Sequence, residues 1–314
     1  MGDDFEFKHI PIMLNQVIEG LDIKPNGIYV DGTLGGAGHS FEIVKRLDSG
    51  KLIAFDQDIE AIENAKIKLK AFEDKVILIH DNFRNIKKSL EDIDIFRING
   101  LLLDLGVSSY QLDSPERGFS YRYDAPLDMR MNQSSQISAK YIVNTYFEED
   151  LKRIIRDYGE EKWASRIAQF IVEERMKKPI DTTGELVQII KAAIPKKARE
   201  EEQHPAKRTF QAIRIETNHE LDVIHDVLES AVELLLPGGV ISVITFHSLE
   251  DRIVKNFFRD ESTGCICPPE IPVCVCNHQA RLRLAHRKPL VPSEEELREN
   301  PRSRSAKVRG AIKL

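Results

Sequence analysis

At 314 residues, with 41% hydrophobic and 31% charged side chains, the chain has the composition of a globular protein large enough for two domains, or for one domain carrying an insertion. A formal net charge of −6 argues against bulk nucleic-acid affinity. The charge is uneven, however: from Arg281 onward ten Lys or Arg stand against four Asp or Glu, and no acid follows Asn300. Such a basic end suits either a local polyanion contact or a solvated, disordered tail.

The first residues, Met1 to Glu6, are acidic and lack the apolar stretch of a secretory signal. Glu6 stands where a myristoylation signal wants Ser or Thr, and no apolar run approaches bilayer-spanning length. The expectation is a cytoplasmic protein with no membrane partner, in which disulfides are disfavoured.

Leu14, Val17, Ile18 and Leu21 recur at helical spacing and predict a lead-in helix within residues 9–24. A strand, Ile28 to Val30, then ends in Asp31 and a loop with four glycines in seven residues, Gly32 to Gly38. A helical segment, Ser40 to Leu47, follows. Strand, glycine loop and helix in that order bring backbone close to a nucleotide-like ligand, because a Cβ would block the approach. The dinucleotide fingerprint G-x-G-x-x-G finds Gly36 and Gly38 but meets Phe41 at its third glycine, and no Lys-Ser or Lys-Thr pair completes a phosphate loop. An acid followed by glycines, without phosphate-binding features, is the form used by enzymes of S-adenosylmethionine (SAM), which carries no phosphate. Taken alone, the loop would fit an ordinary tight βα turn better.

The second strand, Lys51 to Phe55, ends in Asp56, about 20 residues beyond the glycine loop, where a carboxylate can accept from ribose hydroxyls. Asp58 suits the N-cap of the next helix, Ile59 to Phe72. A third strand, Val76 to His80, leads to Phe83, whose ring either faces an adenine or packs in the core. The fourth, Gly100 to Val107, is broken by Asp104 near its carboxyl end. Three strand ends bearing Asp31, Asp56 and Asp104, interleaved with helices, favour a SAM site at the carboxyl edge of a parallel sheet.

Alternation stops after Ser108-Ser109. A polar, turn-rich stretch gives way to helical stripes at Leu151, Ile154, Ile155 and Tyr158, at Trp163, Ile167, Phe170 and Ile171, and at Gly184 to Ala193. A mostly strandless basic stretch follows, with Lys196, Lys197, Arg199, Lys207, Arg208 and Arg214, relieved by Glu200 to Glu202. The sheet pattern then resumes with a helix from Leu221 to Leu235, a Pro237-Gly238-Gly239 turn and a strand from Val240 to Phe246. The expected organisation is a Rossmann-like α/β domain, residues 1–109 and 216–314, interrupted by a mainly helical substrate-recognition domain, residues 110–215. His247 reads as a structural strand-end histidine in preference to a catalytic one.

Cys265, Cys267, Cys274 and Cys276 fall within twelve residues. Four thiols so close could bind zinc tetrahedrally, yet the usual spacing is C-x₂-C and a C-x-C pair leaves less room for both sulfurs. Pro268, Pro269 and Pro272 keep the loop extended and fit either reading.

The motifs together resemble the RsmH (MraW) family over nearly the whole chain. They are Val30-Asp31-Gly32-Thr33, Gly38-His39-Ser40, Leu102 to Ser109 with Gln111-Leu112-Asp113, Glu116 to Ser120, Pro126 to Met131, Tyr158-Gly159-Glu160-Glu161, Arg208 to Ala212, Phe246 to Arg252 and Asn300 to Ser305. The resemblance implies the class I SAM-dependent methyltransferase fold and methylation of the N4 amine of a cytidine in the decoding region (P site) of 16S rRNA. It implies cofactor contact by Ala37, Gly38, His39, Asp56, Phe83, Asp104 and Gln111, and calls for no metal. Of these, Ala37, His39 and Gln111 come from the resemblance alone. The rRNA within the small ribosomal subunit would be the partner; a homodimer is compatible.

Many amino-methyltransferases place [DNS]-P-P-[YF] after the fourth strand, but here the residues are Asp104-Leu105-Gly106-Val107. Asp104, Ser108 or Ser109 is therefore the candidate acceptor for the amine, with Phe119 or Tyr121 a candidate to stack on the base, though both as easily read as packing residues. Lys207, Arg208, Arg214 and the C-terminal arginines are candidates to hold the RNA backbone. A nicotinamide dehydrogenase, a non-catalytic ribosome-binding factor and a DNA or small-molecule methyltransferase are the competing classes.

Overall fold

In a computed structural model, residues 11–200, 204–265, 267, 273, 275–276 and 278–314 are described. The segment through Ile10, Glu201 and Glu202, and Cys274 with Pro268, Pro269 and Pro272, lie outside the described residues. The chain divides into two compact units, one of Met1–Gly106 with Leu221–Leu314 and one of Val107–Glu220. The boundaries expected at 109/110 and 215/216 fall inside the helices Ser109–Asp113 and Lys207–Asn218, where intrahelical hydrogen bonds hold the chain together. The division lies a few residues outside each helix.

The first unit is built on seven strands: β1 (Ile28–Asp31), β2 (Lys51–Asp56), β3 (Val76–His80), β4 (Ile98–Asp104), β5 (Leu235–Thr245), β6 (Leu282–Leu284) and β7 (Lys307–Lys313). Their order across the sheet is β3-β2-β1-β4-β5-β7-β6. The first five pair in parallel, while β7 runs antiparallel to both β5 and β6. This is the expected Rossmann-like α/β architecture. From β1 the chain winds outward to β2 and β3, and from β4 it winds the other way to β5. The winding therefore reverses between β1 and β4, and the crevice at their carboxyl ends is where such sheets take ligands.

Both faces of the sheet are covered, so its strands read as continuous apolar runs, not alternating ones. Leu52 and Ala54 face a core shared with Val17, Leu21, Ile43 and Val44, from the helices Leu14–Leu21 and Gly38–Val44. Ile53 and Phe55 point the other way, into a core with Leu90, Val227, Leu228 and Phe258. The expected Pro237-Gly238-Gly239 turn lies within β5, where the pairing with β4 jumps from Ile98↔Leu235 to Gly100↔Val240. Gly238, at φ +82°, takes the left-handed conformation this bulge needs.

The basic C-terminus is not a disordered tail. Residues 307–313 form β7 and fill the place between β5 and β6, so the edge of β5 is not left open. Asp251 holds this strand: it accepts from Arg309 Nε at 2.6 Å and Lys307 Nζ at 3.2 Å.

The second unit has a helical core of its own. The helices Glu148–Asp157, Ala164–Arg175, Thr183–Ala193 and Lys207–Asn218 bury Leu151, Ile154, Ile167, Ile171, Leu186, Ile190, Phe210 and Ile213. Thr182 and Glu185 close a reciprocal cap at the start of one of them.

Burial acts to raise the Asp251 pKa, but hydrogen bonds from Arg309 and Lys307 outweigh it and hold the carboxyl below its ordinary value. Such a group contributes stability above its unfolded pKa and loses it as pH falls through the folded one. Arg309→Met should cost about 2 kcal/mol near neutral pH in urea unfolding, shrinking once acid protonates Asp251. A pH-independent cost would assign the effect to packing alone.

Candidate functional site

The loop after β1 is tied to strands on both sides. Gly32 N–H donates to Leu102 O of β4 at 2.9 Å, and Leu34 N–H donates to Phe55 O of β2 at 2.9 Å. Gly35 N–H donates to Asp56 Oδ2 at 2.8 Å, while the Asp104 backbone N–H donates to Thr33 Oγ1. Glycine is required sterically at two points. A Cβ on Gly32 would lie 2.5 Å from Leu103 Cδ2, and one on Gly38 would run into the Pro11 ring. Ala37 closes the loop in the left-handed region, at φ 55°, its N–H on Leu34 O at 2.7 Å.

The three acids divide the work. Asp31 is fully buried, accepts from Ser40 Oγ at 2.7 Å and Thr33 N at 3.1 Å, and so fastens the loop to the following helix. Asp56 accepts from Gly35 N and from Asp58 N, one bond on each oxygen, each of which keeps a second acceptor direction. Burial pushes its pKa up to about 6 despite those bonds. Asp104 is raised well above the usual carboxylate range, first by burial and then by the charges of Asp31 and Glu250. Its Oδ1 is buried and has no hydrogen-bond partner among the described residues. A buried acceptor without a partner needs an explanation, and a donor brought by a ligand is one.

His39 is buried, with Nε2 3.0 Å from Ile12 O, which can only accept. That bond places the ring proton on Nε2 and leaves Nδ1 turned toward Asp104 Oδ2 at 3.7 Å. Phe83 is half-buried at the start of a single helical turn and packs against the sheet core. Ala37, Gly38, His39, Asp56, Phe83 and Asp104 thus all belong to the first unit, on the loop and strand ends around the winding reversal. Asp58 caps the helix Ile59–Lys68, as its position predicted.

Gln111, Ser108 and Ser109 belong to the second unit. Ser108 and Gln111 form a reciprocal cap: Ser108 Oγ accepts from Gln111 N at 3.2 Å and Gln111 Oε1 from Ser108 N at 3.1 Å. This engages the Ser108 hydroxyl and the Gln111 carbonyl, and Ser109 is the first residue of the capped helix.

Three expectations are corrected. Phe119 is a core residue of the second unit, 5% exposed, and has no free face for a base. Tyr121 is stacked on His204, 4.5 Å between ring centres, so one face is already taken. Arg214 is held by Glu220 through two bonds of 2.8 Å and is not a free cation for a phosphate backbone.

Sequence reasoning passed over Thr33, Gln57 and Asn82. Thr33 joins the loop to β4, and Asn82 Nδ2 donates to Gln57 Oε1 at 3.0 Å across the ends of β2 and β3. The only signal was adjacency to an acid or an aromatic already singled out. Their roles depend on pairings between strands distant in sequence.

The MraW methylase family model matches residues 6–314. A ribosomal RNA small subunit methyltransferase H from Finegoldia magna is 58% identical over 310 residues, spanning 98% of this chain and 99% of its own. The protein of the same name from Clostridioides difficile is 58% identical over 310 residues, covering 98% and 100%. Among solved structures, an rRNA methylase from Streptococcus thermophilus aligns with 96% of this chain and 93% of its own, at 11% identity and a TM-score of 0.42.

A carboxyl whose pKa folding raises contributes stability in its protonated form, and that contribution is lost as pH rises through the raised value. Asp104→Asn, neutral at every pH, should therefore raise the melting temperature of the ligand-free protein near neutral pH. Below about pH 4, where the unfolded carboxyl is protonated too, it should change little. Calorimetric scans at the two pH values decide it; an equal gain at both would remove charge as the cause.

Proposed function

The chain belongs to the MraW methylase family, and on that premise we propose that it transfers a methyl group from SAM to the N4 amine of a cytidine in the decoding region, the P site, of 16S rRNA. The residues present fit SAM: a glycine loop with no room for side chains, a carboxyl at the end of β2 and an orphaned buried acceptor at the end of β4. When bound, SAM supplies an electrophilic methyl group on a sulfonium.

The chain's own residues supply position and electrostatics. Ala37 and Gly38 give close backbone approach, Asp56 accepts from the ribose hydroxyls and Phe83 offers its ring to the adenine. A cytosine amine is a poor nucleophile because its lone pair is delocalised into the ring, and an acceptor on its N–H helps localise that pair. Asp104 is the assigned acceptor, favoured over Ser108 because the Ser108 hydroxyl already caps a helix. His39, held by Ile12 O, sets its Nδ1 edge beside Asp104. The target base must be unstacked to reach these groups. Lys207 and Arg208, together with Arg302 and Arg304 on the turn Pro301–Ser305, are exposed and assigned to the RNA backbone. The observation that carries the reading is the unsatisfied Asp104 Oδ1 beside the glycine loop.

Labelled SAM incubated with small ribosomal subunits and with naked rRNA should deposit its methyl on one cytidine of the 16S strand. Label on another base, or none on either substrate, would overturn the assignment. Asp56→Ala should weaken SAM binding by tenfold or more, an order-of-magnitude figure for a lost charge-assisted contact, with the circular dichroism spectrum unchanged.

Affinity in the wild type should also fall as pH drops through about 6, because a protonated Asp56 is the poorer acceptor for hydroxyls. Asp56→Asn should lose that inflection.

A further inference from the structure

The loop between the helix Ser248–Glu261 and β6 carries four cysteines that the methyl-transfer site does not use, three of them, Cys265, Cys267 and Cys276, among the described residues. Cys265 and Cys276 place their Sγ atoms 3.8 Å apart, and the thiols of Cys265, Cys267 and Cys276 all lie within 4.8 Å of one another. Two sulfurs in a disulfide are about 2.05 Å apart. Two sulfurs on one tetrahedral zinc, each about 2.3 Å from the metal, are separated by about 3.8 Å. The Cys265–Cys276 spacing is that of a tetrahedron's edge, and Cys267 lies close enough to both to complete a third corner.

The surroundings favour thiolate over thiol. Val275 N–H points at Cys267 Sγ at 3.4 Å and His278 N–H at Cys276 Sγ at 3.5 Å, two amide dipoles that stabilise negative charge on sulfur. The geometry also answers the objection raised by the C-x-C spacing, since both sulfurs of the first pair lie inside the cluster.

We propose that Cys265, Cys267 and Cys276 bind one Zn²⁺ as a structural clip on this loop. Each thiol releases its proton to solvent as it ligates, and the remaining coordination position is taken by water or one further donor. The loop's two ends are already joined: Arg281 N–H donates to Glu261 O at 2.9 Å, and its guanidinium bridges Glu261 and Glu229. The metal closes the part that the ion pairs do not reach. It fixes the loop with Val273 and Val275 turned outward, 70% and 69% exposed. Because the ligands come from one loop of one unit, the clip is separate from the strand-end carboxyls.

The full chain, purified under reducing conditions from zinc-supplemented cells, should carry about one zinc per chain by atomic spectroscopy. Stripped protein titrated with Co²⁺ alone should develop a thiolate-to-cobalt charge-transfer band. The Cys265→Ser/Cys276→Ser double variant should lose both signals while retaining its cooperative melt and its SAM affinity by calorimetry. Wild-type protein that takes up neither metal overturns the proposal without reference to any variant. So does a double variant that binds zinc as before, or a Cys265–Cys276 disulfide found by alkylation and mass spectrometry of protein trapped in cells.

Discussion

Gly32 N–H on Leu102 O and Leu34 N–H on Phe55 O stretch the loop after β1 between the two strands that flank it. The rest of the site depends on that double tether. With the backbone anchored on both sides, Gly35 N–H is delivered to Asp56 and Thr33 Oγ1 to the start of the turn after β4. The first anchor requires a side chain to be missing at Gly32, because a Cβ there would occupy the space of Leu103 Cδ2. The packing is tight enough that the loop has one arrangement.

The tether gathers like charges. Asp31 raises the pKa of both Asp56 and Asp104, and burial raises all three. A fold selected for stability alone would not gather three carboxyls and leave one buried oxygen among them unsatisfied. The arrangement suits a cationic ligand, since a sulfonium nearby would relieve that repulsion. Asp31 is the exception, because its hydrogen bonds to Ser40 and Thr33 serve the loop itself.

The second unit follows different rules. Its helices bury one continuous apolar core, and several polar residues that resemble binding groups in the sequence prove to be internal fasteners. Arg130 makes a paired contact with Asp128 and reaches the carbonyls of Gln133 and Ser135. Asn218 holds Met131 N and Met129 O. Side chains of this kind supply partners to the backbone of an irregular segment, residues 118–138.

The sequence by itself determined what depends on local chemistry. The strand–glycine–helix order, the acids at three strand ends, the Asp58 cap and the apolar stripes of the helical insertion were all legible, because spacing and residue type act over a few neighbours. The motifs resembling the RsmH (MraW) family added His39, Ala37 and Gln111, which no spacing argument reached. Only the tertiary structure decided the rest. That residues 307–313 are a strand follows from the open edge of β5, whose Thr245 pairs with Lys307, 62 residues on in sequence. That Phe119 is core and Arg214 is ion-paired follows from partners elsewhere in the second unit. The Pro237-Gly238-Gly239 segment became a bulge because β4 pairs on both sides of it. The unsatisfied oxygen of Asp104 is likewise a property of packing, since an absent partner can be recognised only once every neighbour is in place.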